Sequence, residues 1–335
     1  MEIRTEGQTA GQINASPDLN KAQQRLPVNI LANISWLGLN VLVNFLFVPF
    51  LISNLGVATY GLVPLAASLN KYMVVLTQGF NSSVSRYLTI DLSRQDDEAA
   101  NETFNTGVAT GTLIAVCLIP IALIIAYLSP RIFNIPLGLE NNAQWMIAFA
   151  LLAFVITMFA SSFAVSSFAL HRFDLRFLVN ASRLLTEVGL TVFLFYLLIP
   201  QLWTVGFSIF VGSLLFLLGT LRVWRKLTPQ LRLNLVLVKW RKMRELLGFS
   251  GWVMVNQVGS LLFLNIDLIM TNILFGAVAA GRYGAVIVFP ITLRSLAATL
   301  NGVLAPIIFG IFAQNKLDVL ADFSRRAVKY MGLLL

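Results

Sequence analysis

The sequence predicts an all-α polytopic membrane protein: a two-lobe helical bundle built from parallel six-helix repeats, the second incomplete in this chain. Three observations carry that expectation. Of the 335 residues, 57% are hydrophobic and only 12% are charged, with a mean hydropathy of +0.79, against about 25% charged in a soluble domain. The apolar residues come in runs of about twenty or more, the length a helix needs to cross a hydrocarbon core of about 30 Å. Finally, runs such as GTLIAVCLIPIALIIAYL do not alternate apolar with polar, which excludes a β-barrel and leaves helices as the spanning element.

Residues 1–26 are polar and lack an apolar h-region, so they are expected to form a disordered cytoplasmic tail and not a cleaved signal peptide. The first lobe is expected over 27–224, with spans near 28–53, 57–89, 104–128, 143–170, 178–200 and 202–224. A basic amphipathic linker, 225–247, lies on the cytoplasmic face. The start of the second lobe, 248–335, holds spans near 248–275 and 279–312 and part of a third from Ala327. The connections alternate between charged and nearly uncharged, and sorting the basic residues leaves only Arg131 and Arg282 on the poorly charged side. By the positive-inside rule the N-terminus is cytoplasmic and the protein is a multi-pass inner cell membrane protein. The net charge of +9 then follows from topology and attraction to anionic headgroups, with no nucleic-acid site. Cys117 stands alone and His171 is the single histidine, so no metal site is expected.

The two sides of the linker repeat each other. Trp36, Asn40, Asn44 and Phe47 recur as Trp252, Asn256, Ser260 and Phe263 at the same spacings, and NLGVATYGLV is followed by a span just as LFGAVAAGRYGAV is. Six spans before the repeat make the halves parallel. The second half has room for only two full spans, so the chain is expected to be a fragment or truncated product of a twelve- or fourteen-span protein.

The first span running into PFLISNLGVATYGLVPLAASL, the second closing in SVSRYLTIDLSRQDDEAANETFNTG, and the repeat after a basic linker together resemble the polysaccharide-biosynthesis flippases. These are the Wzx-type members of the superfamily that also holds the MATE exporters and the lipid II flippase. The resemblance covers 27–335. It implies two six-helix lobes around a central cavity, moving an undecaprenyl-diphosphate-linked oligosaccharide from the cytoplasmic to the outer leaflet by alternating access. It also implies coupling to a proton or sodium ion, no other cofactor, and partners among membrane lipids, polysaccharide polymerase and other assembly proteins. The residues agree that the protein is not an enzyme or ATPase of recognisable type: there is no phosphate-binding G-x-x-x-x-G-K-[ST] loop and no Ser/His/Asp set.

Four ionisable residues fall within spans: Lys71, Glu187, Asp267 and Arg294. Such residues face a bundle interior or a water-filled cavity, because lipid exposure is too costly. Aligning Tyr60-Gly61 with Tyr283-Gly284 brings Lys71 and Arg294 to one point, and aligning Gly56 with Gly276 offsets them by three residues. On the implied substrate, these two cations are assigned to the diphosphate headgroup, with snorkelling or an intramembrane acid as the competing account. Asp267 is a candidate for cation coupling or for pairing with Arg294. Glu187 is a candidate for the same coupling or for an ion pair with Arg183 four residues earlier. Asn33, Asn40, Asn44, Asn256 and Ser260 are candidates for cavity lining or for interhelical packing. Gly212 and Gly219 share a face that lets another helix approach, with Gly206 off that line. Two other functions compete: a MATE-like exporter of organic cations, which would prefer acids in its cavity, and a non-transporting scaffold of a polysaccharide assembly complex.

Overall fold

The computed structural model describes residues 17–94, 96–170 and 172–294, with 321, 324–326, 328, 329 and 332 beyond them; side chains at 17–27, 71–78 and most of 252–265, among others, lie outside the description. The described chain is helical: α1 (Pro17–Leu55), α2 (Val57–Tyr60), α3 (Leu62–Ser93), α4 (Asp97–Ile132), α5 (Glu140–Ala169), α6 (Phe173–Leu197), α7 (Leu202–Leu227) and α8 (Trp240–Val286). A further helical stretch covers 288–294. Among the described residues, six helices are long and apolar enough to cross a membrane: Leu31–Leu55, Asp97–Ile132, Glu140–Ser167, Phe173–Leu197, Leu202–Leu227 and Ile266–Arg294. The protein is a multi-pass membrane protein.

The N-terminal boundary differs from expectation. Residues 17–26, expected in the disordered tail, continue α1; the run PDLNKAQQRL opens on Pro at a position where its missing N–H costs nothing and continues in good helix formers. The breaks around the expected second span and between the expected seventh and eighth spans fall where glycine takes positive φ, in the short connections the sequence predicts. Gly56 (φ 78°) separates α1 from α2, and Gly276 (φ 84°) breaks α8 internally. A Cβ is strained in that region, so these are positions for glycine. Residues 295–312 of the expected eighth span, and most of the partial span from Ala327, fall outside the described residues.

The connections at 94–96, 171–172 and 228–239 lie at one end of the bundle, and those at 56, 133–139, 198–201 and 276 lie at the other. Basic residues crowd the first, here called the basic end. Two buried clusters fill the bundle between them. Near the basic end Trp224 stacks on Phe104 at 5.4 Å and meets Phe163 edge-on at 5.2 Å, beside Phe80, Val84 and Leu88. Toward the opposite end Leu62, Leu65, Met146, Ile147 and Leu151 pack with small residues of α4 and α5. Small residues set the helix spacing: Gly206 lies against the Met146 backbone of α5, while Gly212 and Gly219 both lie against α6, the common face their seven-residue separation predicts. Acidic residues around the α3–α4 connection are engaged by the protein. Asp91 is buried and accepts a 2.6 Å hydrogen bond from Thr103 Oγ1, and Asp96 caps α4 by accepting from the Ala99 N–H at 3.0 Å.

Candidate functional site

A cavity of about 380 Å³ opens where α1, α3, α6 and α7 meet α8 and the helical stretch after it. Its walls are mostly aliphatic, with Asn44, Tyr60, Ser68, Glu187, Thr191 and Thr292 as the polar lining. Several of these polar groups turn back on their own helices, as apolar surroundings demand. Asn44 Nδ2 donates to Asn40 O at 2.8 Å, Ser68 Oγ to Leu65 O at 2.7 Å and Thr191 Oγ1 to Glu187 O at 2.7 Å.

Glu187 is the one charged residue in the described lining. Arg183 Nε donates to Glu187 Oε1 at 2.6 Å, and Arg183 Nη1 reaches Thr157 Oγ1 of α5 at 3.2 Å. The guanidinium also stands 5.8 Å from the centre of the Phe216 ring. Gly212 makes room for the acid: a Cβ there would lie 2.5 Å from Glu187 Cγ and 3.0 Å from its Oε1. The pair is part of a stripe, Arg172, Arg176, Asn180, Arg183, Glu187 and Thr191, whose steps of three and four residues hold one face of α6. That stripe connects the basic end to the cavity. Its spacing was legible in the sequence, but the search for intramembrane charges singled out only the Arg183–Glu187 step.

The other sequence candidates distribute as follows. Lys71 lies on α3 one turn beyond Ala67, a lining residue, and its side chain is outside the described residues; Arg294 is exposed, one turn beyond the lining residue Ile291. The backbone therefore carries both cations one turn past the described lining. Asn44 lines the cavity; Asn40 is half-buried and donates to Trp36 O at 2.7 Å, and Asn33 is exposed. Neither Asn40 nor Asn33 is in the lining. The side chains of Asn256 and Ser260 lie outside the description. Asp267 is exposed and accepts from the Tyr283 hydroxyl at 3.2 Å, across the Gly276 break; it forms no ion pair with Arg294 among the described residues.

Beside the cavity, the helices before and after the linker cross. A Cβ placed on Gly61 would stand 2.7 Å from both Ala277 O and the Gly281 nitrogen; one on Gly281 would overlap the carbonyl oxygen of Val57; one on Gly284 would be 2.6 Å from Pro64 Cγ. One fixed interval relates Gly56 to Gly276, Val57 to Ala277, Gly61 to Gly281 and Pro64 to Gly284. Two of the contacts, Gly61 with Gly281 and Pro64 with Gly284, share the interval that separates Gly56 from Gly276. Asn134, after α4, reinforces the crossing: its N–H donates to Asn272 Oδ1 at 3.0 Å, and its Nδ2 donates to Asn272 O at 2.9 Å and Ile273 O at 3.0 Å.

At the basic end the linker between α7 and α8 has a turn closed by the Leu231 N–H on Thr228 O at 3.1 Å and one 3-10 turn at Leu235–Leu237. Side chains of α4 read its backbone. Asn101 donates to Gln230 O at 3.1 Å and accepts from Arg232 N at 2.9 Å; Asn105 donates to Arg232 O at 2.9 Å and accepts from Asn234 N at 2.7 Å; Thr106 Oγ1 accepts from Lys239 N at 3.2 Å. Lys239 Nζ pairs with Glu102 at 2.6 Å, and that hydrogen bond holds the ammonium above the usual lysine range.

The sequence pattern of the family described as polysaccharide biosynthesis protein matches residues 28–312. The chain belongs to that family. A curated relative, the uncharacterized membrane protein EpsK of Bacillus subtilis (strain 168), is 29% identical over 311 residues, covering 93% of this chain and 62% of the relative. The chain thus spans less than two thirds of that protein's length. A solved structure named "protein A" superposes with a TM-score of 0.71 at 15% identity, covering 89% of this chain and 66% of that one. At that identity the likeness is one of fold.

Proposed function

We propose that this chain is the membrane-embedded transport portion of a flippase for a lipid-linked oligosaccharide. It would move an undecaprenyl-diphosphate-linked glycan from the cytoplasmic to the outer leaflet for surface polysaccharide synthesis. The observation that carries the reading is a cavity where α1, α3, α6 and α7 meet α8, within a polysaccharide biosynthesis family member. A glycan headgroup cannot cross hydrocarbon unaided, and a hollow between helices that offers it some polar groups is the remedy the bilayer permits. The basic end faces the cytoplasm in this reading. Lys71 and Arg294, one turn beyond the lining, would meet the diphosphate as it enters. Glu187 would bind the coupling cation, with Arg183 as the charge that replaces the cation when the site empties; Asp267 is the second candidate. Lipids, the lipid-linked substrate and the polymerase machinery are the expected partners.

One observation favours the MATE-like alternative, an exporter of organic cations: the described lining carries an acid and no base. The double substitution Lys71→Ala and Arg294→Ala decides between them. In cells lacking their own gene for this step, the flippase reading expects surface glycan to fall at least about tenfold while the protein stays in the membrane. Unchanged surface glycan, with Glu187→Gln abolishing efflux of a cationic dye, would establish the exporter instead.

A further inference from the structure

A second concavity, of about 400 Å³, opens between the starts of α5 and α7, at the end away from the basic linker. Asn141, Asn142, Trp145, Phe149, Gln201 and Trp203 line it. The lining is three carboxamides and three aromatic rings, with no charged side chain. The rings are braced from behind: Trp145 lies 5.8 Å from Phe149, which meets Phe207 edge-on at 5.6 Å, and Trp203 lies 6.2 Å from Phe207. Trp145 nevertheless keeps 54% of its surface exposed. The Trp203 indole N–H donates to Gln201 Oε1 at 2.5 Å, which fixes that carboxamide and leaves its NH2 group as the outward donor. Asn141 and Asn142 make no side-chain hydrogen bond among the described residues.

Tryptophans gather at membrane boundaries in general, where their N–H groups face headgroups. That tendency accounts for rings at this depth, but not for three amides converging on them, nor for an indole N–H engaged inside the protein. A phospholipid headgroup would call for a cation opposite its phosphate, and the lining has none. A pyranose ring has the matching chemistry: an apolar C–H face for a ring platform and a rim of hydroxyls, each both donor and acceptor, for carboxamides that are also both. We propose that this pocket is a binding site for a neutral saccharide ring, separate from the central cavity. It deepens the flippase reading by giving the glycan a holding point at the face where it emerges, and it rests on that reading only for this placement.

The test uses the full chain in phosphatidylcholine nanodiscs, free of glycoside detergents that would compete. Saturation-transfer NMR and tryptophan fluorescence follow titration with maltotriose and chitotriose, with glucuronate as the charged control. Saturable binding of at least one trisaccharide is expected, weakened at least about tenfold by Trp145→Ala and by the nearly isosteric Asn142→Asp. Glucuronate should not compete. No saturable binding of either trisaccharide by a protein that keeps its helical circular dichroism would overturn the site, as would binding indifferent to both substitutions. Surface glycan measured in parallel keeps the two readings apart: lost binding with normal export removes this site alone, and retained binding with no export in any condition removes the flippase.

Discussion

The two ends of the bundle join the first six helices to α8 by different physics. At the basic end, side chains of α4 hold the linker as a strap through Asn101, Asn105 and Thr106, and the reinforcing Glu102–Lys239 pair is exposed at its lysine. At the opposite end, backbone meets backbone: Gly61 and Gly281 lie against main-chain atoms across the crossing. Hydrogen-bonded side chains can exchange with water as a strap shifts, whereas an interlock of main chains has no slack. The crossing is therefore the fixed point of the molecule and the strap its adjustable tie.

The largest effect expected from breaking this contrast is at the crossing. Gly281→Ala places a methyl on the Val57 carbonyl, where the colliding atom is backbone and cannot rotate aside. We expect a loss of roughly 3 kcal/mol, the upper part of the overpacking range, read as a lowered thermal midpoint in nanodiscs. Gly189→Ala on α6, with nothing within 4 Å of the new methyl, is the control and should gain about 0.5–1 kcal/mol from helix propensity. Equal destabilisation by both would show that the crossing is not special.

Much of this architecture is legible in the sequence because it is local. Apolar runs give the long helices, the four-residue step from Arg183 gives the ion pair at Glu187, and the seven-residue step from Gly212 to Gly219 gives their shared face. What escaped is long-range or depends on register. Asn101 reads as an ordinary residue of a charged connection and Asn105 as one near the start of the span at 104–128, because their partners at 230–234 are fixed only once α4 and the strap lie side by side. Asn134 and Asn272 likewise share no period. Tyr60-Gly61 and Tyr283-Gly284 match as text, whereas the residues in contact at the crossing are Gly61 with Gly281 and Pro64 with Gly284. Similar letters align by composition, while the helices align by which residues are small enough to touch.

The second expected effect sharpens the crossing itself. Asn134→Ala removes two hydrogen bonds to the carbonyls of Asn272 and Ile273, both close before the Gly276 break. Asn272 is fully buried, so its carbonyl loses a partner without ready access to water. The cost should be about 1–3 kcal/mol. Asn134→Asp keeps the shape but turns an acceptor toward two acceptors, and should be at least as damaging. Hydrogen exchange followed by mass spectrometry would locate the loss at 270–277; protection unchanged there would mean that the glycine contact alone holds the junction.

The smallest effect belongs to the strap. Asn105→Ala deletes one donor and one acceptor that hold Arg232 and Asn234; Asn105 itself is buried, but both strap residues are exposed, so water can reach the freed backbone groups. A loss of about 1 kcal/mol is expected, and Asn101→Ala should match it. Lys239→Ala should change the thermal midpoint less than either, since an exposed ion pair contributes little. Its pH signature has a definite sign: a lysine held above its ordinary range contributes fully at neutral pH and loses that contribution only as pH rises through the elevated value. A melt that is flat in pH across neutrality, and faster exchange at 230–239 in Asn105→Ala with none gained at 270–277, would show that the tie loosens without disturbing the fixed point. Exchange gained at both ends together would mean that strap and crossing form one cooperative unit, and the distinction between them would fall.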